Sequence, residues 1–306
     1  MRVTVLLSTY NGEKFLREQL DSILSQQLPD GCALKILVRD DGSTDATLAI
    51  LREYAEANSG LSYYQGENLK PAKSFWHLVK TCEEADYYAY SDQDDVWFPD
   101  KLARGIAAIE AEQSPSTPIL YNSNVTVTDA ALKPIAPMNG EILHTDLAHV
   151  LIYNVSNGCA SVFNDAARRE FLRYDMDENM VIMHDRISDL LTVLFGKLIY
   201  DPEPSMYYRQ HGNNVVGEQS IGKVKSFFKR VKRFMGPSNS IRSERCKMLL
   251  RLYGDRLSEE QKRLLYAVGY YKTDKQAKRT LLKDKAFSCG KKKDFLFRWA
   301  VRLKKI

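Results

Sequence analysis

Two short acidic clusters are the residues of this chain best suited to chemistry. The sequence DDGSTD at 40–45 follows the apolar run 34–38, and DQDD at 92–95 follows the run 87–90. Both apolar runs are typical of β-strands. In open α/β sheets ligands bind beyond the carboxyl ends of the strands, so carboxylates placed there line a site. Two such clusters on one sheet predict a site for a nucleotide bound together with a metal ion.

The second cluster has the spacing of a cation site. Asp92 and Asp94 lie two residues apart, on the same side of an extended segment, and Asp95 is adjacent. Mg²⁺ or Mn²⁺ prefers a few carboxylate oxygens and completes its shell with substrate phosphates. A diphosphate is therefore the expected third party. The alternative is that Asp94 or Asp95 only caps a helix that begins at Pro99, where proline suits the first helical position.

The first cluster is ambiguous by itself. Asp40, Asp41 and Asp45 surround a glycine in a strand-to-helix turn, and Ser43 or Thr44 is the expected N-cap of the following helix. Ordinary turn chemistry would explain all of them. The polar run STYN at 8–11, after the first strand, and the second cluster fifty positions later together favour a binding site.

The composition is that of a soluble enzyme. A chain of 306 residues is long enough for one large domain or two smaller ones. Its five cysteines (Cys32, Cys82, Cys159, Cys246 and Cys289) are scattered and odd in number, which predicts reduced thiols in the cytoplasm. The first residues already have a strand pattern, and no apolar run approaches the ~18 residues that span a membrane. We therefore expect neither a secretory signal nor a transmembrane segment.

Charge divides the chain near residue 220. Residues 221–306 contain 26 Lys and Arg against 7 Asp and Glu, a net charge of +19, whereas residues 1–220 carry −14. Two different kinds of surface are therefore expected, and we predict a domain over 1–220 followed by a basic α-helical region over 221–306.

Up to about residue 215 the hydrophobic pattern alternates between strand and helix. The predicted strands cover 3–7, 34–38, 87–90, 119–121, 125–127, 198–200 and 206–209, and the predicted helices cover 13–27, 43 onwards, 73–84, 99 onwards, 166–174 and 186–195. Repeated strand–helix units imply an α/β fold with a mostly parallel, Rossmann-like sheet, and the shorter elements imply a mixed second half.

Six motifs in one order resemble a known family. STYNGEKFLREQLDSIL, VRDDGSTDAT, YSDQDDVWFPDKL, NGCASVF, HDRISDLL and YRQHGNN are similar to the family 2 glycosyltransferases with the GT-A fold. The resemblance covers about residues 3–216. It is strongest to the rhamnosyltransferase-like group, which builds bacterial cell-surface and cell-wall polysaccharides.

The resemblance implies roles for the matching positions. Thr9, Tyr10, Asn11 and Asp41 would bind the nucleotide, with Asp40 supporting the turn. Asp92-Gln93-Asp94 is the DxD motif, which would bind the donor diphosphate through Mg²⁺ or Mn²⁺. Asp185 falls at the general base, although His184 replaces the usual glutamate before it. Arg209 and His211 fall where the family closes over the diphosphate, and His211 would join Asp92 and Asp94 at the metal.

Together these roles describe a single displacement reaction, in which an acceptor hydroxyl replaces the nucleoside diphosphate on the sugar. The implied enzyme is an inverting, metal-dependent hexosyltransferase that moves a sugar from a nucleotide-sugar donor, best L-rhamnose from dTDP-rhamnose, to a hydroxyl of a saccharide acceptor, expected to be lipid-linked. A UDP-hexose donor is the alternative. From the residues alone, Asp185 could instead cap the helix 186–195, Arg209 could be a surface ion pair, and His211 a loop histidine. Cys159 has no adjacent base to activate it as a nucleophile.

The basic C-terminal region is expected to meet an anionic membrane. The segment 221–236 has one apolar helical stripe and one basic face, and 291–306 combines Phe295, Phe297 and Trp299 with terminal Lys and Arg. We thus expect a cytoplasmic enzyme, peripheral on the inner face of the cell membrane. Two core-packing helices with solvated basic faces are the alternative. No recognition motif accompanies the charge, which argues against nucleic acid.

Two functions from other classes remain open at the level of sequence. DQDDV at 92–96 also fits the DxDxV motif of haloacid-dehalogenase-like phosphatases, although that motif belongs on the first strand of its own domain. A noncatalytic lipid-binding protein would explain the basic region but not the two acidic clusters. The oligomeric state is not predictable from these patterns.

Overall fold

The structure, a computed structural model, describes residues 1–139, 143–153, 155–180, 183–211, 239–288 and 290–305. The chain forms two compact units. The first contains Met1–Leu143 and Ser156–Val215, and the second contains His144–Val155 and Val216–Ile306. The short segment 144–155 therefore groups with the C-terminal region.

The first unit is built on one sheet. Its strands are β1 (Arg2–Thr9), β2 (Ala33–Asp40), β3 (Leu61–Gln65), β4 (Tyr87–Ser91), β5 (Val96–Trp97), β6 (Ile119–Thr128), β7 (Pro134–Pro137), β8 (Ser161–Asn164) and β9 (Lys197–Arg209). The order is β3-β2-β1-β4-β8-β6-β9-β5, with β7 beside β6. The pairs β2–β3, β1–β2 and β1–β4 are parallel, whereas β8 runs antiparallel to both β4 and β6. The predicted parallel first half and mixed second half are confirmed.

Helices cover the sheet because their apolar residues recur at helical spacing. In the first unit they are α1 (Leu16–Leu24), α2 (Thr47–Ala57), α3 (Lys70–Thr81), α4 (Lys101–Glu110), α6 (Asp165–Phe171) and α7 (His184–Phe195). In α1, for example, Leu16, Leu20 and Ile23 are fully buried. They join Val3, Val5 and other residues of the central strands in the hydrophobic core. Strands of this kind, covered on both faces, have the continuous apolar runs seen in the sequence.

Several predicted boundaries were wrong. The strand β3 was missed, since its sequence LSYYQ has little apolar character. Residues 119–128 form one strand instead of two, because the buried Asn122 and Ser123 are hydrogen-bonded inside the sheet, Asn122 Nδ2 to Asn157 O at 2.8 Å and Ser123 Oγ to Ser205 Oγ at 2.5 Å. The predicted strands at 198–200 and 206–209 are likewise one, β9.

The predicted helix starts were also displaced. Asp100, not Pro99, precedes the first turn of α4, so the proline lies just outside the helix. The N-cap of α2 is Ala46, because the side chain of Ser43 is used by Asp40. The helix α7 begins at His184, which places Asp185 inside the first turn; the capping alternative for Asp185 is therefore wrong.

The second unit is helical in the part that the structure describes. It contains α5 (Leu147–Ile152), α8 (Asn239–Tyr253), α9 (Glu259–Tyr270), α10 (Lys275–Lys283) and α11 (Lys291–Arg302). The helix α9 begins with a capping box, in which Ser258 and Gln261 satisfy each other's backbone N–H groups. Among the described residues no helix is both long and apolar enough to span a membrane. The amphipathic helix predicted at 221–236 lies outside the described residues.

Candidate active site

The carboxyl ends of three parallel strands meet at one edge of the sheet. Thr9 at the end of β1 pairs with Asp40 at the end of β2. On the other side of β1, Leu7 pairs with Ser91, the last residue of β4. The polar run 8–11 and both acidic clusters therefore lie together, as the sequence pattern predicted.

Asp40 organises the turn of the first cluster. Its carboxylate accepts hydrogen bonds from the backbone N–H of Gly42 at 3.2 Å and of Ser43 at 2.9 Å, and from the Ser43 hydroxyl at 2.5 Å. The side chain is fully buried. Gly42 has a φ of +85°, a conformation that glycine adopts without strain. This carboxylate is used by the protein itself, as expected of a residue that supports the turn.

Asp41 also has protein partners. Its two carboxylate oxygens accept the backbone N–H groups of Leu69 at 3.1 Å and Lys70 at 2.9 Å, just where α3 begins. The buried guanidinium of Arg39 forms an ion pair with the same carboxylate. Asp41 thus joins the end of β2 to the start of α3. Its predicted contact with the base or ribose stays a prediction.

Gln93, the middle residue of DxD, holds the end of β1. Its Oε1 accepts the Thr9 hydroxyl at 2.5 Å and the Tyr10 N–H at 2.8 Å, and its Nε2 donates to Tyr10 O at 3.1 Å. A Cβ on Gly12 would lie 2.4 Å from this amide oxygen, so any other residue there would displace the Gln93 side chain. Asn11, which follows Tyr10, donates its N–H to Ser43 Oγ at 2.8 Å. These hydrogen bonds connect the loops that follow β1, β2 and β4. The Tyr10 side chain beside them is about half exposed.

Carboxylates crowd together in the second cluster. Asp92, Asp95 and Cys159 place ligand atoms within 4.8 Å of one another. Burial and the charges of Asp94 and Asp185 raise the pKa of Asp92 to about 7. Burial and the charges of Asp94 and Asp92 also raise the pKa of Asp95, whose buried Oδ2 has no hydrogen-bond partner among the residues that the structure describes. Burial raises the pKa of the Cys159 thiol as well, so the sulfur is not a nucleophile.

His211 contacts the last acid of the DxD motif. Its Nε2 lies 2.7 Å from Asp94 Oδ2, and both side chains are largely buried. Carboxylates that repel one another, an unpartnered buried oxygen and a nearby imidazole make a donor set that fits a divalent cation. Among the predicted ligands, Asp94 contacts His211 and its charge acts on Asp92, and the binding of a cation by the three stays a prediction.

Arg209 is placed beneath this cluster. Its Nε donates to Asp94 O at 2.8 Å, its Nη1 to Ala130 O at 2.8 Å, and its Nη2 is paired with Glu18. The guanidinium also lies 4.5 Å from the centre of the Phe15 ring. In this conformation Arg209 fixes the backbone of the DxD loop. Its predicted contact with the diphosphate stays a prediction.

A buried lysine balances the acidic charge. The Nζ of Lys101 donates to Cys159 O at 2.8 Å and lies 4.5 Å from the centre of the Trp97 ring. Burial lowers the pKa of Lys101 to about 8, although Asp95 and Asp92 oppose that shift. The sequence analysis missed this residue because it has the position of an ordinary surface lysine in the first turn of α4. Its place directly after the DQDDVWFPD run was the available signal.

The start of α7 carries buried polar atoms without partners. Neither ring nitrogen of His184, nor Oδ1 of Asp185, has a hydrogen-bond partner among the described residues. The His184 ring packs at 4.0 Å from the centre of Phe75 and 4.6 Å from that of Tyr90. A Cβ at Gly158 would collide with the imidazole, so glycine makes room for it. Burial lowers the pKa of His184 to about 4, which keeps the ring neutral.

Asp189, one turn further along α7, was also missed by the sequence analysis. It accepts the Ser156 hydroxyl at 2.5 Å, and burial together with Asp185 raises its pKa to about 7. The spacing of four residues from Asp185 was the only signal. The charge of Asp185 thus contributes to the raised pKa of Asp92 and of Asp189, and its role as the base stays a prediction.

Comparison with known proteins agrees with this geometry. The model of "Glycosyl transferase family 2" matches residues 4–170. The dTDP-rhamnosyl transferase RfbG of Shigella flexneri is 30% identical over 236 residues, which cover 72% of this chain and 76% of the relative. The putative glycosyltransferase EpsE of Bacillus subtilis is 33% identical over 144 residues, 45% of this chain and 50% of the relative.

Solved structures agree on the fold. Residues 1–349 of Staphylococcus aureus TarS, in complex with UDP-GlcNAc, superpose with a TM-score of 0.55 at 16% identity, covering 99% of this chain and 91% of those TarS residues. The mannosyltransferase PcManGT of Pyrobaculum calidifontis, in complex with GDP-Man and Mn²⁺, gives 0.53 at 16% identity, covering 99% and 86%. The family match, the rhamnosyltransferase relative and the sheet order agree: this chain belongs to glycosyltransferase family 2 and has the GT-A fold.

Proposed function

We propose that this glycosyltransferase moves L-rhamnose from dTDP-rhamnose to a saccharide hydroxyl, with inversion at the anomeric carbon. The relationship to a dTDP-rhamnosyl transferase over 72% of the chain supports the donor. A UDP-hexose is the alternative donor, because the structurally similar TarS was solved with UDP-GlcNAc. The acceptor would be a lipid-linked intermediate of cell-surface polysaccharide synthesis.

Asp185 is the residue on which the chemistry rests. A sugar hydroxyl is a weak nucleophile until a base takes its proton, and Asp185 has a buried carboxylate oxygen with no partner in the described part of the chain. The neighbouring His184 is neutral, so it does not neutralise this carboxylate. One base on the acceptor side, opposite the leaving diphosphate, produces inversion.

The nucleotide-sugar donor would bind at the edge of the sheet where the loops after β1, β2 and β4 meet. Thr9, Tyr10, Asn11 and Asp41 would surround the nucleoside, with Tyr10 exposed enough to stack on the base. Asp92, Asp94 and His211 would hold Mg²⁺ or Mn²⁺, and Mn²⁺ is present in the PcManGT complex. The cation would neutralise the charge that develops on the leaving nucleoside diphosphate. Arg209, by fixing the Asp94 backbone, keeps these ligands in place.

A donor panel tests this assignment. Thermal unfolding would be followed with dTDP-rhamnose, UDP-glucose, UDP-GlcNAc and GDP-mannose, each with and without Mn²⁺. A ligand at 100 times its Kd stabilises the native state by about 2.7 kcal/mol, so dTDP-rhamnose should raise the midpoint most, and only with the cation. A larger increase of the midpoint with a UDP-sugar would identify that UDP-sugar as the donor instead. No shift with any sugar nucleotide would contradict the proposal as a whole.

We place the acceptor at an anionic membrane surface, reached through residues 221–306. The outward face of α11 supports this, since Phe295, Trp299 and Leu303 recur every four residues and are 68%, 38% and 47% exposed. The basic residues Arg298, Arg302, Lys304 and Lys305 are exposed around them. Aromatic residues with cations on one face suit the lipid headgroup region. The enzyme would then be cytoplasmic and peripheral on the inner membrane face.

Vesicle sedimentation tests the membrane proposal. Arg298→Glu with Arg302→Glu should release the protein from anionic vesicles, and so should Glu at the four basic positions Lys229, Arg230, Lys232 and Arg233. Transfer to a short soluble acceptor should persist in both variants. Lys262→Glu is the control, because Lys262 already pairs with Glu259 on α9. Equal binding of the wild type to neutral and anionic vesicles would contradict electrostatic docking.

A further inference from the structure

A second group of ligand-type side chains lies in the other unit. His144, Asp146 and His149 place ligand atoms within 4.8 Å of one another at the start of α5. His144 and Asp146 are exposed, whereas His149 is buried. All three belong to the second unit, whereas the predicted nucleotide and metal ligands belong to the first. Neither the glycosyltransferase motifs nor the proposed reaction use them.

The hydrogen bonds of His149 require an explanation. Its Nε2 lies 3.1 Å from the carbonyl oxygen of Ser288, which can only accept, so Nε2 carries a hydrogen. Its Nδ1 lies 2.6 Å from Asp146 Oδ2, and an ionised carboxylate can only accept as well. A neutral imidazole has a single N–H and cannot donate to both. Either the ring is a cation, or a metal ion takes the place of the second proton.

His144 offers a third ligand to a metal at this place. Its ring is stacked on that of His149, with centroids 4.4 Å apart and planes at 21°. An ion bound by two imidazoles lies in the plane of both rings, so the His144 ring would have to turn out of this stack to give a third ligand to a metal bound at Nδ1 of His149 and by Asp146. The His144 side chain is exposed, so it has room for this turn. The ligand atoms, now within 4.8 Å of one another, would then approach the roughly 3.4 Å expected between ligands of a tetrahedral ion.

We propose that His144, Asp146 and His149 bind a borderline divalent cation, Zn²⁺ by its chemistry, with water as the fourth ligand. Two imidazoles and a carboxylate suit Zn²⁺, whereas the oxygen-rich DxD cluster suits Mg²⁺ or Mn²⁺. The bond from His149 Nε2 to the Ser288 carbonyl is the outer contact that zinc-bound histidines commonly make, and it fixes the ring.

The ion would have a structural role. The ligands come from the segment before α5 and from its first turn, and His149 connects them to Ser288 near the start of α11. The Ser288 hydroxyl in turn donates to Asp294 at 2.5 Å. Binding would therefore join the short segment 144–155 to the C-terminal helices of the second unit.

The test uses the full chain and Zn²⁺ alone. Asp92→Asn and Asp94→Asn together provide a background without the DxD cation site, so that only the second site is measured. Calorimetry should then find one Zn²⁺ per chain. His144→Ala and Asp146→Asn should each weaken binding at least about 100-fold. Asn keeps the oxygen that caps α5, where Asp146 accepts the His149 N–H at 3.2 Å. His77→Ala, in the first unit, is the control and should bind normally.

Labelling the five histidines with ¹⁵N gives a second measurement that does not require the His144→Ala and Asp146→Asn variants to fold. In the same background, Zn²⁺ should shift the ¹⁵N resonances of the ring nitrogens of His144 and His149. The rings of His77 and His184 should be unaffected. If saturating Zn²⁺ leaves the ring nitrogens of His144 and His149 unshifted, the Asp146 contact is a proton-bridged pair and the proposal is overturned. Because the readout is binding in a catalytically disabled background, it is independent of the proposed donor.

Discussion

The two acidic clusters look alike in sequence and differ in how their carboxylates are satisfied. In the first, Asp40 and Asp41 accept backbone N–H groups from the loops around them. Although burial opposes it, hydrogen bonds from Thr47 and Glu13 lower the pKa of Asp45. In the second, burial and like charges raise the pKa of Asp92 to about 7. The first cluster stabilises the fold, and the second retains the electrostatic strain that a bound cation would relieve.

The largest effect should come from Asp94→Asn. This change removes a cation ligand with little change in shape, so turnover should fall by about 10³-fold or more while the protein stays folded. Asp45→Asn is the matched change in the first cluster, where the carboxylate accepts hydrogen bonds from Thr47 and from the N–H of Glu13. It should lower stability and leave turnover within about 10-fold. Steady-state kinetics with a chelator titration would compare the two.

Equal losses of turnover in both variants would contradict this division. Full activity of Asp94→Asn in excess chelator would exclude a cation from the reaction altogether.

Asp185→Asn should have the next largest effect. Asparagine has nearly the same shape but cannot take a proton at neutral pH, so transfer should fall by about 10² to 10⁴-fold while the Kd for the donor is retained. Asp189→Asn, one turn along α7, is the control, because Asp189 contacts Ser156 and its pKa is already raised to about 7. It should lose less than about 10-fold. Single-turnover rates and donor titrations would be measured together, and similar losses in both variants would remove Asp185 as the base.

The sequence predicted much of this arrangement because its signals are local. The apolar runs gave the parallel strands β1, β2 and β4, and the polar residues that follow them were expected at one edge of the sheet. What it could not predict depends on distant partners. The strand β6 is continuous because Asn122 and Ser123 are satisfied by residues 35 and 82 positions away.

The site shows the same limit. Lys101 looks like a surface residue until the fold brings the Cys159 carbonyl to it, 58 positions away. Residue type alone also could not distinguish the satisfied Asp40 from the crowded Asp92, since that difference lies in which N–H groups the fold supplies. Hydrogen-bond satisfaction is a property of the folded chain.

Asp40→Ala should affect stability more than chemistry. It leaves two backbone N–H groups and the Ser43 hydroxyl without an acceptor in a buried turn, so the free energy of unfolding should fall by about 3 kcal/mol. Asp100→Ala is the control, because Asp100 is exposed and its nearest cation, Arg104, is 3.9 Å away. Its loss should stay below about 1 kcal/mol. Urea unfolding would measure both, and an unaffected Asp40→Ala would show that the first cluster is not the stabilising one.

The smallest effect is a pH dependence from His184, in the region whose polar atoms lack partners. Its pKa is about 4 in the folded protein because burial disfavours the charged ring, against about 6.5 in an unfolded chain. As the pH falls through 6.5 the unfolded chain takes up this proton first, so stability is lost between pH 6.5 and 4. At pH 5 the loss from this one group is about 2 kcal/mol relative to pH 8.

Asp92 and Asp189, with raised pKa values of about 7, act in the opposite direction over much of the same range. The wild-type curve alone would therefore hide the effect, and the difference between wild type and His184→Gln is the quantity to measure. In urea unfolding the wild type should lose about 2 kcal/mol more than His184→Gln between pH 8 and 5, whereas His77→Gln, at a half-buried ring bonded to Tyr64, should change the slope less. Parallel curves for wild type and His184→Gln would mean that the imidazole has a hydrogen-bonding partner in solution. The contrast between polar groups with and without hydrogen-bond partners would then not extend to the start of α7.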